Sequence, residues 1–468
     1  MSRHARRSRM AGEGADVAFT LTMSDGNRVI RRLYVYHAVN NIALSVVTNF
    51  LFLDKLFLRM GLDFASFGVI KGISFLIPML VNLLLSPFIQ AANKDRELVA
   101  LTFGIRVFLP LLLLLVPRLH LQGAALVALI TCMLVVIHMF PIVANNCLQN
   151  IIRSTIPEQS LGKHLTWINV VWTLPGYMLA IPLSRYVDRF SGASDEQFYG
   201  ALFTVMLGTA VFQLIASPLM LTLPKPPERV VPASKQHLFH SVAAPFKDPT
   251  YRPLLMVVLV FTTLSAMIAS FINPYLLLVR QLNLGQISMI SAGVSLLSIV
   301  AMPIWGRLLD SLGGQNSYRI ALVGFIVGLA VLLGAGWTPI VVFALFSYEG
   351  QRGAFGSGLA ISQQYLIMVK ADSAQRSVYY AAATSMIGVG WFIGANAGGI
   401  LLQLLLNLSG GRFSLSAAYN MLFLLCIVLA VLLMLLIRKI PQDRASLPGK
   451  YLWIHIYKSI TGKGRLKL

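Results

Sequence analysis

Charged residues are scarce in this sequence, and acidic residues are the scarcest of them. Only 12% of the 468 residues are Asp, Glu, Lys or Arg, whereas 57% are hydrophobic. A soluble protein needs more polar residues than this to cover its surface, so the composition excludes a soluble globular fold. The three cysteines, Cys132, Cys147 and Cys426, all lie in apolar stretches, which excludes a disulfide framework and a cysteine metal site.

Motifs that would assign an enzymatic activity are also missing. The sequence has no Gly-x-x-x-x-Gly-Lys-Ser/Thr motif, so we expect no ATP site, and we predict no cofactor and no metal. Residues 1–33 are rich in arginine but contain no apolar core of a signal peptide. The net charge of +21 comes without a basic module interleaved with aromatic residues, so we expect no nucleic-acid partner.

Twelve long apolar stretches are the dominant feature that is present. A helix needs about 20 residues to cross a hydrocarbon core of about 30 Å, and each stretch is long enough. The stretches, called spans 1 to 12, lie at 34–58, 65–90, 98–117, 122–148, 165–185, 199–222, 252–280, 287–308, 317–337, 339–367, 378–406 and 416–438. The sequence therefore predicts an all-α, multi-pass membrane protein with twelve transmembrane helices in two six-helix bundles.

The distribution of basic residues predicts the orientation and the domain limits. The tails at 1–33 and 439–468 each carry seven Lys or Arg, and the segments on the opposite face carry few. This bias places both termini in the cytoplasm and favours contact of the tails with an anionic inner leaflet. We predict bundles at 34–222 and 252–438, joined by a proline-rich cytoplasmic linker at 223–251, in the plasma membrane (the inner membrane if the source is bacterial).

The two halves of the sequence show weak internal symmetry. The segment between spans 8 and 9 contains Gly306, Asp310 and Gly313 in a Gly-x-x-x-Asp-x-x-Gly pattern. The segment between spans 2 and 3 keeps Asp95 and Arg96. Asp95 and Asp310 occupy the same place relative to their helices, which indicates a duplicated six-helix unit.

With this loop pattern the chain resembles the major facilitator superfamily of secondary transporters over roughly residues 32–438. In that family the loop Asp caps a neighbouring helix and latches the two halves on the cytoplasmic side. The resemblance implies that five residues are gating residues here: Asp95, Arg96, Gly306, Asp310 and Gly313. The alternative is that the two aspartates are ordinary solvated loop charges. The resemblance also implies that spans 1, 4, 7 and 10 line a central cavity.

Polar side chains inside the predicted spans are concentrated on spans 1, 4, 7 and 10. Such side chains are costly in a bilayer and normally face a cavity or a polar partner. They are Tyr34, His37, Asn41, Ser45 and Thr48 in span 1, His138 and Asn145 in span 4 with Gln149 directly after it, Thr262, Ser270 and Asn273 in span 7, and Glu349, Arg352 and Gln363 in span 10, with Gly356 between the last two. These stripes favour a cavity lining; the alternative is polar contacts between packed helices. In span 11, Gly390, Gly394 and Gly398 predict a close-packing seam.

The sharpest polar feature is the pair Glu349 and Arg352 near the midpoint of span 10. The spacing of three residues puts both side chains on one helical face. A shift of 214 residues, the offset between the halves, takes Arg352 to His138 in span 4. Three interpretations stay open: Arg352 and His138 bind an anionic group, Glu349 carries a coupling proton, or Glu349 and Arg352 form a static ion pair. The predicted substrate-binding residues are Arg352, His138, Asn41, Asn145, Asn273 and His37.

Two further charged sites have no clear role in the sequence. Arg106 lies near the middle of span 3, and no partner for it can be named. Asp54 and Lys55 lie near the outer end of span 1, where they either form an outer gate or mark the membrane interface.

These patterns predict a secondary active transporter and not an enzyme. We expect it to act as a monomer and to move a small polar or amphipathic organic solute by alternating access. An anionic solute is the favoured class, and Glu349 is the candidate for proton coupling. The alternatives are a flippase-like member that handles lipids or lysolipids, and a membrane-embedded transferase acting on lipid-linked substrates.

Overall fold

The regular structure in the described part of the chain is helical. The computed structural model describes residues 23–47, 50–92, 94–106, 108–156, 161–223, 243–333, 353–371, 376–408 and 414–441. In these ranges seven helices, those of spans 2, 4, 6, 7, 8, 11 and 12, are long and apolar enough to cross a membrane. The predicted all-α membrane architecture is confirmed, and the full count of twelve spans and the orientation stay predictions.

Spans 1 to 6 form the N-terminal half. Their helices are Met23–Val47 and Phe50–Arg59 in span 1, Phe64–Ala92 in span 2, Asp95–Arg106 and Leu109–Leu113 in span 3, Gly123–Thr155 in span 4, Leu161–Asp188 in span 5 and Asp195–Leu221 in span 6. A 3₁₀ turn at Val116–Leu119 ends span 3. Helical structure in span 1 begins at Met23, eleven residues before the predicted start at 34, so it extends into the predicted tail.

Spans 7 to 12 form the C-terminal half. Their helices are Arg252–Pro274 with a π-helical turn at Tyr275–Val279 in span 7, Leu284–Leu333 for spans 8 and 9, Gly353–Lys370 in span 10, Arg376–Leu408 in span 11 and Leu415–Ile437 in span 12. Glu349 and Arg352 lie outside the described residues, so their predicted roles stay predictions.

Individual residues explain where these helices break. Pro110 has no backbone N–H to donate to the carbonyl of Arg106, so span 3 is divided at this point. Spans 8 and 9 are separated by Gly313 alone, with φ 77° and ψ 169°. A left-handed φ of this kind favours glycine because no Cβ clashes with the backbone. The turn is therefore tighter than the loop predicted between 308 and 317.

The two halves pack against each other mainly through two helix pairs, spans 2 and 11 and spans 5 and 8. Span 11 also packs on span 7 of its own half. A methyl group added at Gly390 would lie 2.9 Å from the carbonyl oxygen of Leu259, and one at Gly398 would lie 2.8 Å from the Phe271 ring, both in span 7. The predicted glycine seam in span 11 is thus confirmed, since larger residues would separate these helices.

The apolar core of the described chain falls into two clusters. The larger cluster joins both halves, with Phe57 of span 1 and Phe271 of span 7 among its members. The smaller cluster is confined to the N-terminal half and includes Leu33, Ile152 and Met220. Its members lie at the start of span 1 and the ends of spans 4 and 6. The halves therefore share an apolar core at one end of the bundle, and at the other end the N-terminal half has a core of its own.

Candidate functional site between the two halves

The end at which the halves share their core is called the far end here. It contains the connections between spans 1 and 2, spans 5 and 6, and spans 7 and 8, at residues 59–64, 188–195 and 279–284. The opposite end, where span 1 begins and span 12 ends, is called the terminal end. If the predicted orientation holds, the terminal end is cytoplasmic and the far end is external.

A buried ion pair joins the halves near the far end. Lys71 Nζ in span 2 lies 2.7 Å from Asp54 Oδ1 in span 1, and both side chains are 0% exposed. The C-terminal half completes the polar contacts of this pair. Asn273 Nδ2 donates to Asp54 Oδ2 at 3.1 Å, and Lys71 Nζ donates to the backbone oxygen of Ser270 at 2.7 Å. Each charge thus has one partner in its own half and one across the interface.

The Asp54–Lys71 pair is the main part of the site that the sequence did not predict. Asp54 was predicted either as an outer gate or as an interface marker, but together with Lys55 rather than Lys71. The available signal was a single lysine inside the apolar run of span 2, since an ionisable residue inside a span normally marks a partner or a pathway. A buried charge loses several kcal/mol of hydration, roughly, so Lys71 and Asp54 must stay paired wherever water is excluded.

A second polar contact across the interface lies where spans 5 and 8 meet. The Asp188 carboxylate at the end of span 5 accepts hydrogen bonds from the backbone N–H groups of Leu284, at 3.1 Å, and Gly285, at 2.6 Å. The first N–H groups of a helix lack partners within that helix and carry a partial positive charge, so a carboxylate stabilises them. One turn away, Ser184 Oγ and Ser288 Oγ are 2.6 Å apart. The N-terminal half therefore caps a helix of the C-terminal half.

Aromatic stacking continues the interface toward the middle of the bundle. The Phe75 ring stacks on the His138 ring on one side and on the Trp391 ring on the other, with centroids 4.5 Å apart in each case. His138 Nδ1 lies 3.1 Å from the backbone oxygen of Ser74. Span 4, span 2 and span 11 are thus linked at the level of His138, close to the midpoint of its helix.

The other predicted substrate residues occupy different surroundings. His37 and Asn41 are buried in the N-terminal half, and the Asn145 side chain is exposed. Asn273 is 2% exposed and bonds to Asp54. The structure therefore separates Asn273, at the interface, from His37 and Asn41, inside one bundle.

A buried polar group also occupies the interior of the N-terminal half. Asn40 and Gln213 are hydrogen-bonded at 2.9 Å, linking spans 1 and 6. Arg106 of span 3 is only 2% exposed, and its guanidinium is within electrostatic range of the Tyr36 hydroxyl and the His138 ring. The cation that had no partner in the sequence thus points into its own bundle rather than toward lipid.

The predicted gating residues lie at the terminal end. Asp95 is buried in the first turn of its helix. Arg96 donates to the backbone oxygen of Leu223 at 2.7 Å, a contact within the N-terminal half. Gly306 lies in a helix and Gly313 forms the turn after it, whereas the Asp310 side chain lies outside the described part of the chain. The gating role of these residues stays a prediction.

Asp248 holds the end of the predicted linker against span 11. Its carboxylate accepts hydrogen bonds from the Thr250 side chain at 2.7 Å and from the Tyr379 hydroxyl at 3.0 Å. Burial alone would raise the pKa of Asp248, but hydrogen bonds from Thr250, Tyr379 and Tyr251 outweigh it and lower the pKa. The carboxylate form is thus favoured at this junction.

A family model described as Major Facilitator Superfamily matches residues 37–395. The chain belongs to the major facilitator superfamily. A search of curated protein sequences finds no match.

Solved structures similar to this superfamily member include transporters and homologues of transporters. A bacterial homologue of the human lysosomal transporter Spinster, inward-facing and unoccupied, has 16% identity and a TM-score of 0.59, covering 90% of this chain and 99% of that chain. A D-xylose–proton symporter has 12% identity and a TM-score of 0.63, with coverage of 90% and 99%. A nucleoside transporter has 15% identity and a TM-score of 0.57, with coverage of 87% and 98%. At these identities the likeness shows the fold, and the predicted family and fold are confirmed.

Proposed function

We propose that this superfamily member is a secondary active transporter that moves a small polar or amphipathic organic solute by alternating access. The proposal rests on one observation: the contacts between the two halves differ between the far end and the terminal end. The buried Asp54–Lys71 pair and the Asp188 cap bind the halves together near the far end. The separate core of the N-terminal half at the terminal end supports independent movement of the halves there. With both termini cytoplasmic, this arrangement corresponds to an inward-facing state.

An anionic solute is the favoured substrate class. The basic side chains of His37, His138 and Arg106 are buried in the N-terminal half, and His138 and Arg106 lie near the midpoints of spans 4 and 3. Arg352 is predicted to contribute a further cation from span 10. Glu349 is proposed to carry a coupling proton, with Asp95, Arg96, Gly306, Asp310 and Gly313 as the cytoplasmic latch.

The first experiment is solute uptake into proteoliposomes, with and without a pH gradient, using a panel of sugars, nucleosides, amino acids and carboxylates. Uptake above that of protein-free vesicles supports transport, and dependence on the gradient supports proton coupling. The transporter proposal is wrong if no solute moves and the purified protein instead modifies or flips a lipid. Fluorescent lysolipids added to the same vesicles test the flippase alternative directly.

Two substitutions test the proposed span 10 site. Glu349→Gln and Arg352→Ala should abolish or uncouple transport without reducing the yield of folded protein. If both substitutions reduce the yield of folded protein, and the fraction that folds keeps its activity, the pair is a static structural bridge.

We also propose that the protein resides in the plasma membrane and is a monomer. Membrane fractionation checks the localisation, and light scattering of the purified protein checks the monomeric state.

A further inference from the structure

Three buried hydrogen-bonding groups of the N-terminal half have no partner among the described residues. The rings of Tyr36 and His37 lie 5.5 Å apart, and Tyr36 is within electrostatic range of Arg106. Arg106 is 2% exposed, and Nε, Nη1 and Nη2 of its guanidinium make no hydrogen bond there. The same is true of the Tyr36 hydroxyl and of both ring nitrogens of His37. Buried polar groups are normally bonded, so three such groups together need an explanation.

No described carboxylate is placed to neutralise Arg106. Two acidic side chains in the described ranges are buried, Asp54 and Asp95. Asp54 forms an ion pair with Lys71 and accepts a hydrogen bond from Asn273. Asp95 lies eleven residues before Arg106 in span 3, which corresponds to about 16 Å along a helix rising 1.5 Å per residue. A buried guanidinium that makes no hydrogen bond to a described carboxylate costs several kcal/mol, roughly, unless another anion compensates it.

The position of Arg106 is the depth at which transporters of this architecture bind their substrates. Arg106 lies near the middle of the segment from Asp95 to Leu119 that forms span 3. His138, within electrostatic range of Arg106, lies near the midpoint of span 4. Sites for substrates lie near the bilayer midplane, where side chains of several helices converge.

The chemistry of the three groups selects the ligand. A guanidinium has five N–H donors and no acceptor, a tyrosine hydroxyl donates one proton, and an imidazole donates at least one. A carboxylate or phosphate supplies several acceptor oxygens and a compensating negative charge. A guanidinium can bind either group through two parallel hydrogen bonds, in a bidentate geometry. We propose that Arg106, with Tyr36 and His37, binds an anionic group, carboxylate or phosphate, of the transported solute. This inference rests on the proposed function and assigns the anion to the N-terminal half.

The test uses matched pairs of probes that differ in charge: succinate with succinamide, benzoate with benzamide, and glycerol 3-phosphate with glycerol. Binding is measured as a rise in thermal stability of the protein in neutral detergent, and uptake is measured in phosphatidylcholine vesicles. We expect at least one anion, and not its neutral counterpart, to stabilise the wild type. Arg106→Gln should weaken its apparent affinity about 10- to 100-fold, because a charged hydrogen-bond partner is lost.

Two variants keep this test interpretable. Arg106→Lys retains the positive charge and loses bidentate hydrogen bonding, so its affinity for the anion should fall between those of the wild type and Arg106→Gln. Arg118 is an exposed arginine in the 3₁₀ turn that ends span 3, so Arg118→Gln is the control and should bind as the wild type does. Size-exclusion chromatography verifies that each variant is folded.

The outcomes separate this inference from the proposed function. Equal anion stabilisation of the wild type and Arg106→Gln, or no stabilisation of the wild type by any anion, overturns the anion site even if neutral solutes are transported. Anion binding that depends on Arg106 without any uptake supports the site and contradicts the transport proposal. If phosphatidylglycerol is the one anion that stabilises the protein, and this effect depends on Arg106, the site binds a lipid headgroup. The proposal that the site binds a transported solute is then wrong.

Discussion

The buried Asp54–Lys71 pair allows a quantitative test of how the halves are held together. Lys71→Met removes the cation and leaves the Asp54 carboxylate in a site that is 0% exposed, 2.7 Å from where the ammonium was. Removing one member of a buried pair costs about 3–5 kcal/mol, because the remaining charge is uncompensated. Asp54→Asn should cost a similar amount for the same reason.

The double variant distinguishes pairing from packing. When both members are replaced by neutral groups of similar size, no charge is left unpaired, and the cost is often small. We therefore expect Asp54→Asn combined with Lys71→Met to lose far less stability than the sum of the single variants. The coupling energy should exceed about 2 kcal/mol, which is large for a pair of contacting residues.

The assay is equilibrium unfolding in mixed detergent micelles, with all four proteins of the cycle measured under one condition. Lys55→Met is the matched control, because the Lys55–Asp188 pair is longer, at 3.3 Å, with side chains 21% and 18% exposed. Pairs with access to solvent contribute about 0–1 kcal/mol, so this variant should lose little. If the two single substitutions are additive in the double variant, the reasoning about a mutually dependent buried pair is refuted.

Three further predictions concern the interface and the linker. Cysteines replacing Ser184 and Ser288, in a background without native cysteines, should form a disulfide on oxidation and block transport, which a reductant restores; activity unchanged by complete cross-linking would contradict alternating access. Gly68→Val should slow that cross-linking, because even a methyl group would lie 2.6 Å from a span 11 carbonyl oxygen, whereas Gly293→Val, in open space, should not. Asp248→Asn should destabilise the protein at pH 6 but match the wild type in strong acid. The lowered pKa makes the Asp248 contribution present above the unfolded pKa of about 3.9 and lost as pH falls through the folded value.

Much of the fold could be predicted because its signals are local. Apolar stretches of sufficient length predicted the membrane helices, and the spacing of Gly390, Gly394 and Gly398 predicted a close contact that the structure confirms. The loop pattern around Gly313 predicted the family. The early start of span 1 at Met23 was not predictable, since polar and charged residues at 23–33 carry no hydrophobic signal of a span.

The candidate site depended on distances that the sequence does not contain. The sequence determined that Lys71, Asp54 and Arg106 are charges in apolar surroundings, which are costly and therefore informative. Only the tertiary structure decided that Lys71 meets Asp54 and a carbonyl oxygen 199 residues away, and that Arg106 meets no described acceptor. The physical reason is that a charge in a membrane protein is stabilised over a few ångströms. Helix packing, rather than sequence separation, sets which groups come that close.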